Sequence, residues 1–185
     1  MQGGVGQPTT VLLHAWREGD SDARDRLFDA FYPDLCRAAA ALLRNERSVS
    51  LSSGDLVHET VLRLIQLQRI DWADRAHFMA MASRFMRRAL VDHVRSKQRN
   101  KRDHWRVELT TRFAAHRPFD LQKLDHALLR LAALDQEKAD IVEMRYFGGM
   151  TFADIATVLG VSEPTIKRRW SVARIWLLEA VENPV

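Results

Sequence analysis

The stretch VSEPTIKRRW, residues 161–170, sets Lys167, Arg168 and Arg169 side by side just after a serine and a proline. Cations at the start of a helix can neutralise phosphates and donate hydrogen bonds to base edges, so the chemistry on offer is recognition of a polyanion. Other reactive patterns are sparse. His58-Glu59-Thr60 is not the H-E-x-x-H of a zinc protease, no glycine-rich phosphate loop occurs, and the seven histidines do not cluster at ligand spacings. Asp92 and His93 are adjacent, which on a helix points them about 100° apart and makes them a surface pair rather than an acid–base couple. No enzyme, metal or cofactor is expected.

Polyanion binding requires clustered charge. The chain has 28 Lys and Arg against 24 Asp and Glu, a net +4, so the excess is modest. It is concentrated in RSKQRNKRDHWR, residues 95–106, which has six cations and one acid. At 185 residues and 46% hydrophobic content the chain can build cores for one domain or two small ones. Cys36 is the only cysteine, which excludes an internal disulfide or a cysteine-based zinc site and suits a reducing compartment, with a buried structural thiol as its expected state. The N-terminal MQGGVGQPTT lacks the segments of a signal peptide. The longest apolar run, AAAALL, is far short of the roughly 20 residues that span a bilayer. A soluble cytoplasmic protein with no membrane partner is expected.

The elements that must position these groups read as helices throughout, because apolar residues recur at helical spacing and no stretch alternates long enough for a strand. Thr10 can cap a helix carrying Leu12, Leu13 and Trp16, ending near Gly19. Asp20 or Ser21 can cap a second, with Leu27, Phe28, Phe31, Leu35, Ala39 and Leu42 on its apolar face and Pro33 expected to kink or divide it. Ser52 and Asp55 form a capping-box pattern ahead of Val57, Val61, Leu64 and Ile65. In the next helix Phe78, Ala82, Phe85, Ala89 and Leu90 share one stripe, while Arg84, Arg87, Arg88 and Arg95 lie largely off it. The fold class is therefore all-α, with two small helical domains at 8–99 and 122–183 joined by a basic linker at 100–121.

The second domain carries a helix-turn-helix pattern. Thr151 and Asp154 form another capping box, Phe152, Ile155, Ala156 and Leu159 make the buried face, and Gly160 supplies the positive φ of a tight turn. Ser162 then caps a helix with Pro164 in its first turn. Ile166, Trp170, Ala173 and Leu177 face inward, leaving Thr165, Lys167, Arg168, Arg169, Ser171 and Arg174 outside, where a recognition helix meets DNA.

In order and spacing these segments resemble the extracytoplasmic-function (ECF) sigma factors, within the sigma-70 superfamily of bacterial RNA polymerase. DLVHETVLRL (55–64) resembles the helix that grips the polymerase clamp, and RAHFMAMASRFMRRALVDHVR (75–95) the helix that opens and reads the minus-ten element. RYFGGMTFADIATVLGVSEPTIKRRWSVARIWL (145–177) resembles the helix-turn-helix that reads the minus-thirty-five element. The resemblance implies core RNA polymerase and promoter DNA as partners. It places Asp55, Leu56, Glu59 and Arg63 on the clamp-binding face. Trp72 and Phe78 become candidates to line or wedge the opened strand. Arg75, Arg84, Arg88, Arg95 and Lys97 become groups for the minus-ten region, the last three and Arg84 as phosphate neutralisers.

One departure stands out: where many members begin the clamp helix with the acidic pattern D-A-E-D, this chain reads Ser52-Ser53-Gly54-Asp55. Phosphorylation of Ser53, or else Ser52 or Ser50, would restore negative charge at a helix N-terminus that favours it. Regulation is expected from outside the chain, by a Ser/Thr kinase, an anti-sigma factor or expression level. The alternative is a two-domain helix-turn-helix regulator that binds duplex DNA without polymerase.

Overall fold

The computed structural model describes residues 9–44, 51–67, 73–98, 106–108 and 118–183. Four helices come first: α1 (Thr9–Arg17), α2 (Ser21–Leu43), α3 (Ser53–Ile65) and α4 (Arg75–Gln98). Four more close the chain: α5 (Leu121–Leu134), α6 (Gln136–Tyr146), α7 (Phe152–Leu159) and α8 (Glu163–Glu182). Inside the stretch read as a linker, β1 (Arg106–Glu108) pairs antiparallel with β2 (Pro118–Asp120), setting Arg106 opposite Asp120. Segments of three residues are too short to show the two-residue period of a strand, which is why the sequence did not reveal them.

Local chemistry explains the helix starts. Asp20 caps α2, its carboxylate accepting from the backbone N–H of Asp22 at 2.9 Å and of Ala23 at 3.0 Å. Thr10, expected as a cap, lies inside α1 instead. The α2 helix runs through Pro33 undivided and buries Leu27, Phe28, Phe31, Leu35, Ala39 and Leu42. Cys36 is half-buried rather than buried.

The N-terminal core is aromatic. The Phe78 ring lies 4.4 Å from that of Phe31 and 5.9 Å from that of Phe28, which in turn meets Trp16 edge-on at 5.5 Å. Phe78 is 0% exposed, so it is a core residue and not a wedge for an opened strand, a correction that follows from its place on the apolar stripe of α4. The α3 helix is rotated from expectation: Leu56, Val57, Thr60 and Leu64 are buried, whereas Ile65 is exposed. Thr60 is accommodated there because its hydroxyl donates to the Leu56 carbonyl at 2.7 Å.

The C-terminal helices pack around Leu124, Leu128, Ile141, Phe147, Ile155, Ile166, Ala173 and Leu177, all at most 2% exposed. The α4 helix also packs against α5, α6 and α7, so it is shared by both halves of the molecule. At its middle, Ser83 is buried and its hydroxyl donates to the Met79 carbonyl at 2.6 Å. Gly148 comes so close that a methyl group built on it would overlap the Ser83 hydroxyl and lie 2.8 Å from the Met144 carbonyl oxygen. No described helix is long and apolar enough to cross a membrane.

Truncating Phe78 to alanine should lower stability by about 3–5 kcal/mol, the range for emptying a large aromatic from a packed core. Urea unfolding followed by circular dichroism checks it; a near-neutral result would mean that the ring is not held in the core.

Candidate nucleic-acid interface

The C-terminal unit is built from its caps outward. Thr151 accepts from the Asp154 backbone N–H at 3.1 Å, and the Asp154 carboxylate accepts from the Thr151 N–H at 3.2 Å and its hydroxyl at 2.7 Å. At the other end of α7, Gly160 adopts φ 64° and ψ 30°. The N–H of Val161 reaches the Ala156 carbonyl at 3.1 Å and that of Gly160 the Thr157 carbonyl at 3.4 Å, the double closure of a Schellman turn. The chain therefore passes from α7 to α8 in three residues. Ser162 holds the cap position of α8 with extended backbone but makes no side-chain cap bond; its hydroxyl pairs with that of Thr165 at 2.9 Å. Ile166, Trp170, Ala173 and Leu177 are buried as their spacing requires, and Phe152 packs edge-on against Trp170 at 6.2 Å.

That stripe fixes which cations point outward. Lys167, Arg168 and Ser171 are exposed; Lys167 also pairs with Glu163 at 2.7 Å, and the Ser171 hydroxyl donates to the Lys167 carbonyl at 2.9 Å. Thr165 and Arg174 are half-buried. Arg169 departs from the expected outward face: it is half-buried and ion-paired with Glu137 at the start of α6. A triplet of neighbouring cations spreads over some 200° of helix, so one member must lean toward the neighbouring helix.

The N-terminal candidates divide similarly. Arg88 is exposed, 5.8 Å above the Phe85 ring. Arg75 is ion-paired with Asp34 of α2. Arg84 bonds Asp140 of α6 at 2.8 Å, and Arg95 bonds Asp125 of α5 at 3.0 Å. Lys97 belongs to α4, while Trp72 and Ser50 lie outside the described residues. Arg87, which the sequence marked only as off the stripe, is the most enclosed of these cations. Its guanidinium meets Asp125 Oδ1 at 2.7 Å and pairs with Glu143. Burial disfavours the Arg87 charge, but the bonds to Glu143 and Asp125 outweigh it and raise its pKa above the ordinary arginine value.

At the start of α3 the capping box is complete: Ser52 Oγ accepts from the Asp55 N–H at 3.0 Å, and Asp55 Oδ2 accepts from the Ser52 N–H at 3.0 Å and its hydroxyl at 2.8 Å. Asp55 and Glu59 are exposed, and Arg63 pairs with Asp92 of α4 at 3.0 Å. Leu56 is 0% exposed, which removes it from any contact surface; it holds the helix from behind. Among the described residues, no group of His, Cys, Asp or Glu is arranged to hold a metal ion.

Comparison with known proteins comes to one family. The model of the ECF sigma factor family matches residues 7–183. No curated protein matches the chain. Among solved structures, the sigma factor RpoE in complex with the anti-sigma factor NepR, from Bartonella quintana, is similar at 21% identity and a TM-score of 0.40, over 90% of this chain and 100% of that one.

The Asp55 carboxyl titrates below the usual aspartate range, chiefly because the Ser52 hydroxyl and then the Ser52 N–H bond its ionised form. A depressed folded value means that this group supports α3 above the unfolded carboxylate range and ceases to do so as pH falls through the lowered value. Ser52→Ala should move the Asp55 midpoint up toward that of an unperturbed aspartate, as followed by carbon-detected NMR; an unmoved midpoint would show that the box does not hold the charge.

Proposed function

The chain belongs to the ECF sigma factor family, and from that premise we propose how its surfaces share the work of starting transcription. As a member it is an alternative sigma factor that partners core RNA polymerase and directs transcription initiation at promoter DNA. In our reading residues 8–99 bind the polymerase clamp and the minus-ten element, 100–121 link, and 122–183 read the minus-thirty-five element through a helix-turn-helix made by α7 and α8. The protein works in the cytoplasm, where its template lies, and is not an enzyme.

The observation that carries this assignment is the sidedness of α8. With Ile166, Trp170, Ala173 and Leu177 buried, Lys167 and Arg168 stand on a preset outer face near the helix start. Arg168 is the first choice for a base or phosphate contact, with Thr165, Lys167, Ser171 and Arg174 beside it. On the N-terminal half Arg88 is exposed toward DNA, Arg75, Arg84 and Arg95 complete the basic surface when their present partners let go, and Lys97 of the same helix extends it. Asp55, Glu59 and Arg63 form the polymerase-facing part of α3.

The clamp helix begins with less negative charge than the family pattern, and a phosphate can supply it. Ser53 is the better acceptor. Ser52 Oγ already serves the capping box, so a phosphate there would displace the Asp55 N–H and crowd a second anion against the Asp55 carboxylate. Ser53 is the first residue of α3, where a phosphate meets the positive end of the helix without breaking the cap. A Ser/Thr kinase is the corresponding partner, with an anti-sigma factor as the other external regulator.

Mixing the protein with bacterial core RNA polymerase tests the reading directly. Arg168→Ala should weaken promoter binding by about tenfold, within the roughly 1–3 kcal/mol of a good DNA contact. If Arg168 meets a phosphate, the slope of log affinity against log salt should also fall by about 0.9. Duplex binding without any polymerase binding would favour the plain regulator. Ser53→Glu should tighten polymerase binding measured by interferometry, and an unchanged dissociation constant would count against a charge switch at this position.

A further inference from the structure

The basic face of α4 is occupied by the molecule itself. Arg84 bonds Asp140 at 2.8 Å and lies 3.6 Å from Glu143, Arg87 is held between Asp125 and Glu143, and Arg95 bonds Asp125 at 3.0 Å. The cations all belong to the N-terminal half, and the carboxylates all to α5 and α6. Asp125 and Glu143 are each 7% exposed, so these are not loose surface pairs. Gly148 closes the contact from the other side by seating against Ser83 of α4.

We propose that Asp125, Asp140 and Glu143 form an autoinhibitory latch that occupies, in place of promoter phosphates, Arg84 and Arg95 of the DNA-facing cations of α4, with the enclosed Arg87 as its anchor. The inference rests on the reading of α4 as a promoter-facing helix. It goes further by naming what covers that helix in the free protein. The physical logic is competition: three carboxylates and a phosphate backbone offer the same guanidinium groups the same charge-assisted bonds, so both cannot hold them together. While the latch is shut, Arg84, Arg87 and Arg95 are neutralised, and the C-terminal half is fixed against the N-terminal one.

The interface has the marks of a contact that opens. Its centre is ionic, and a buried ion pair regains hydration on separation, so it holds less firmly than an apolar seam of equal area. Beside it, between α2, α4 and the 148–151 turn, lies a cavity of about 320 Å³ lined by Asp34, Arg37, Arg75, Met79, Thr151 and Asp154. The two halves are thus incompletely fitted there.

Two full-length variants break the latch by different means. Asp125→Asn combined with Glu143→Gln removes the two buried carboxylates and leaves only Asp140, and Gly148→Ala drives a methyl group into Ser83 without changing charge. Each is compared with wild type for helicity, for radius of gyration by small-angle scattering, and for affinity of the free protein toward a fluorescent forked promoter fragment. Both should expand and bind the fragment at least about tenfold more tightly, since affinity scales with the fraction of open molecules. The neutral Gly148→Ala change controls for added positive charge. Variants that stay compact, or that expand without gaining affinity, overturn the latch. Arg88→Glu, outside the latch, checks the underlying reading in polymerase-dependent transcription. Loss of transcription with the latch variants unchanged would leave α4 as a promoter helix and remove only the latch; no loss would remove the promoter reading and the latch with it.

Discussion

The guanidinium of Arg87, enclosed by Asp125 and Glu143, is the interaction on which the arrangement of this molecule depends. Phe31 and Phe78 meet in the N-terminal half, Leu128 and Ile141 are buried in the C-terminal one, and the apolar cluster runs on from one half into the other across α4. Added to that packing is charge placed where water is scarce. Removing either carboxylate alone would leave a buried cation short of a partner, a far larger penalty than the pair is worth when intact. The halves are therefore joined firmly while the set is complete and weakly once it is broken.

This dependence explains why α4 carries two kinds of side chain. Its apolar stripe, from Phe78 to Val94, is buried where it packs on its neighbours, α2 and α3 among them, while Arg84, Arg87 and Arg95 meet carboxylates of α5 and α6. The α8 helix follows the same division on a smaller scale, with Arg169 turned to Glu137 and Arg168 left outside.

Much of the helical frame was legible because burial imposes a period on the sequence, and the stripes of α2 and α8 are buried as their spacing requires. The capping boxes at Ser52 and Thr151 were legible for a related reason: their chemistry is local, within four residues. Tertiary choices were not. That Leu56 rather than Ile65 turns inward depends on how α3 sits against α2 and α4. The carboxylates opposite Arg87 also escaped, although each left a trace. Asp125 interrupts the stripe of Leu121, Leu124, Leu128 and Leu131, and Glu143 that of Ala139, Val142 and Tyr146. An acid on an apolar face signals a buried partner but does not say which one.

The short β1–β2 pairing governs distance. Between Gln98 and Leu121 an unpaired chain can stretch at most roughly 75 Å. With Arg106 held opposite Asp120, the tether from α4 to α5 is shortened through the hydrogen-bonded pair to about 8 residues and one step across the ladder, a reach of roughly 37 Å. Three residue pairs form a marginal ladder that little work would undo. The connection is thus a leash with two lengths, and undoing the pair about doubles how far apart the chain lets α4 and α5 stand.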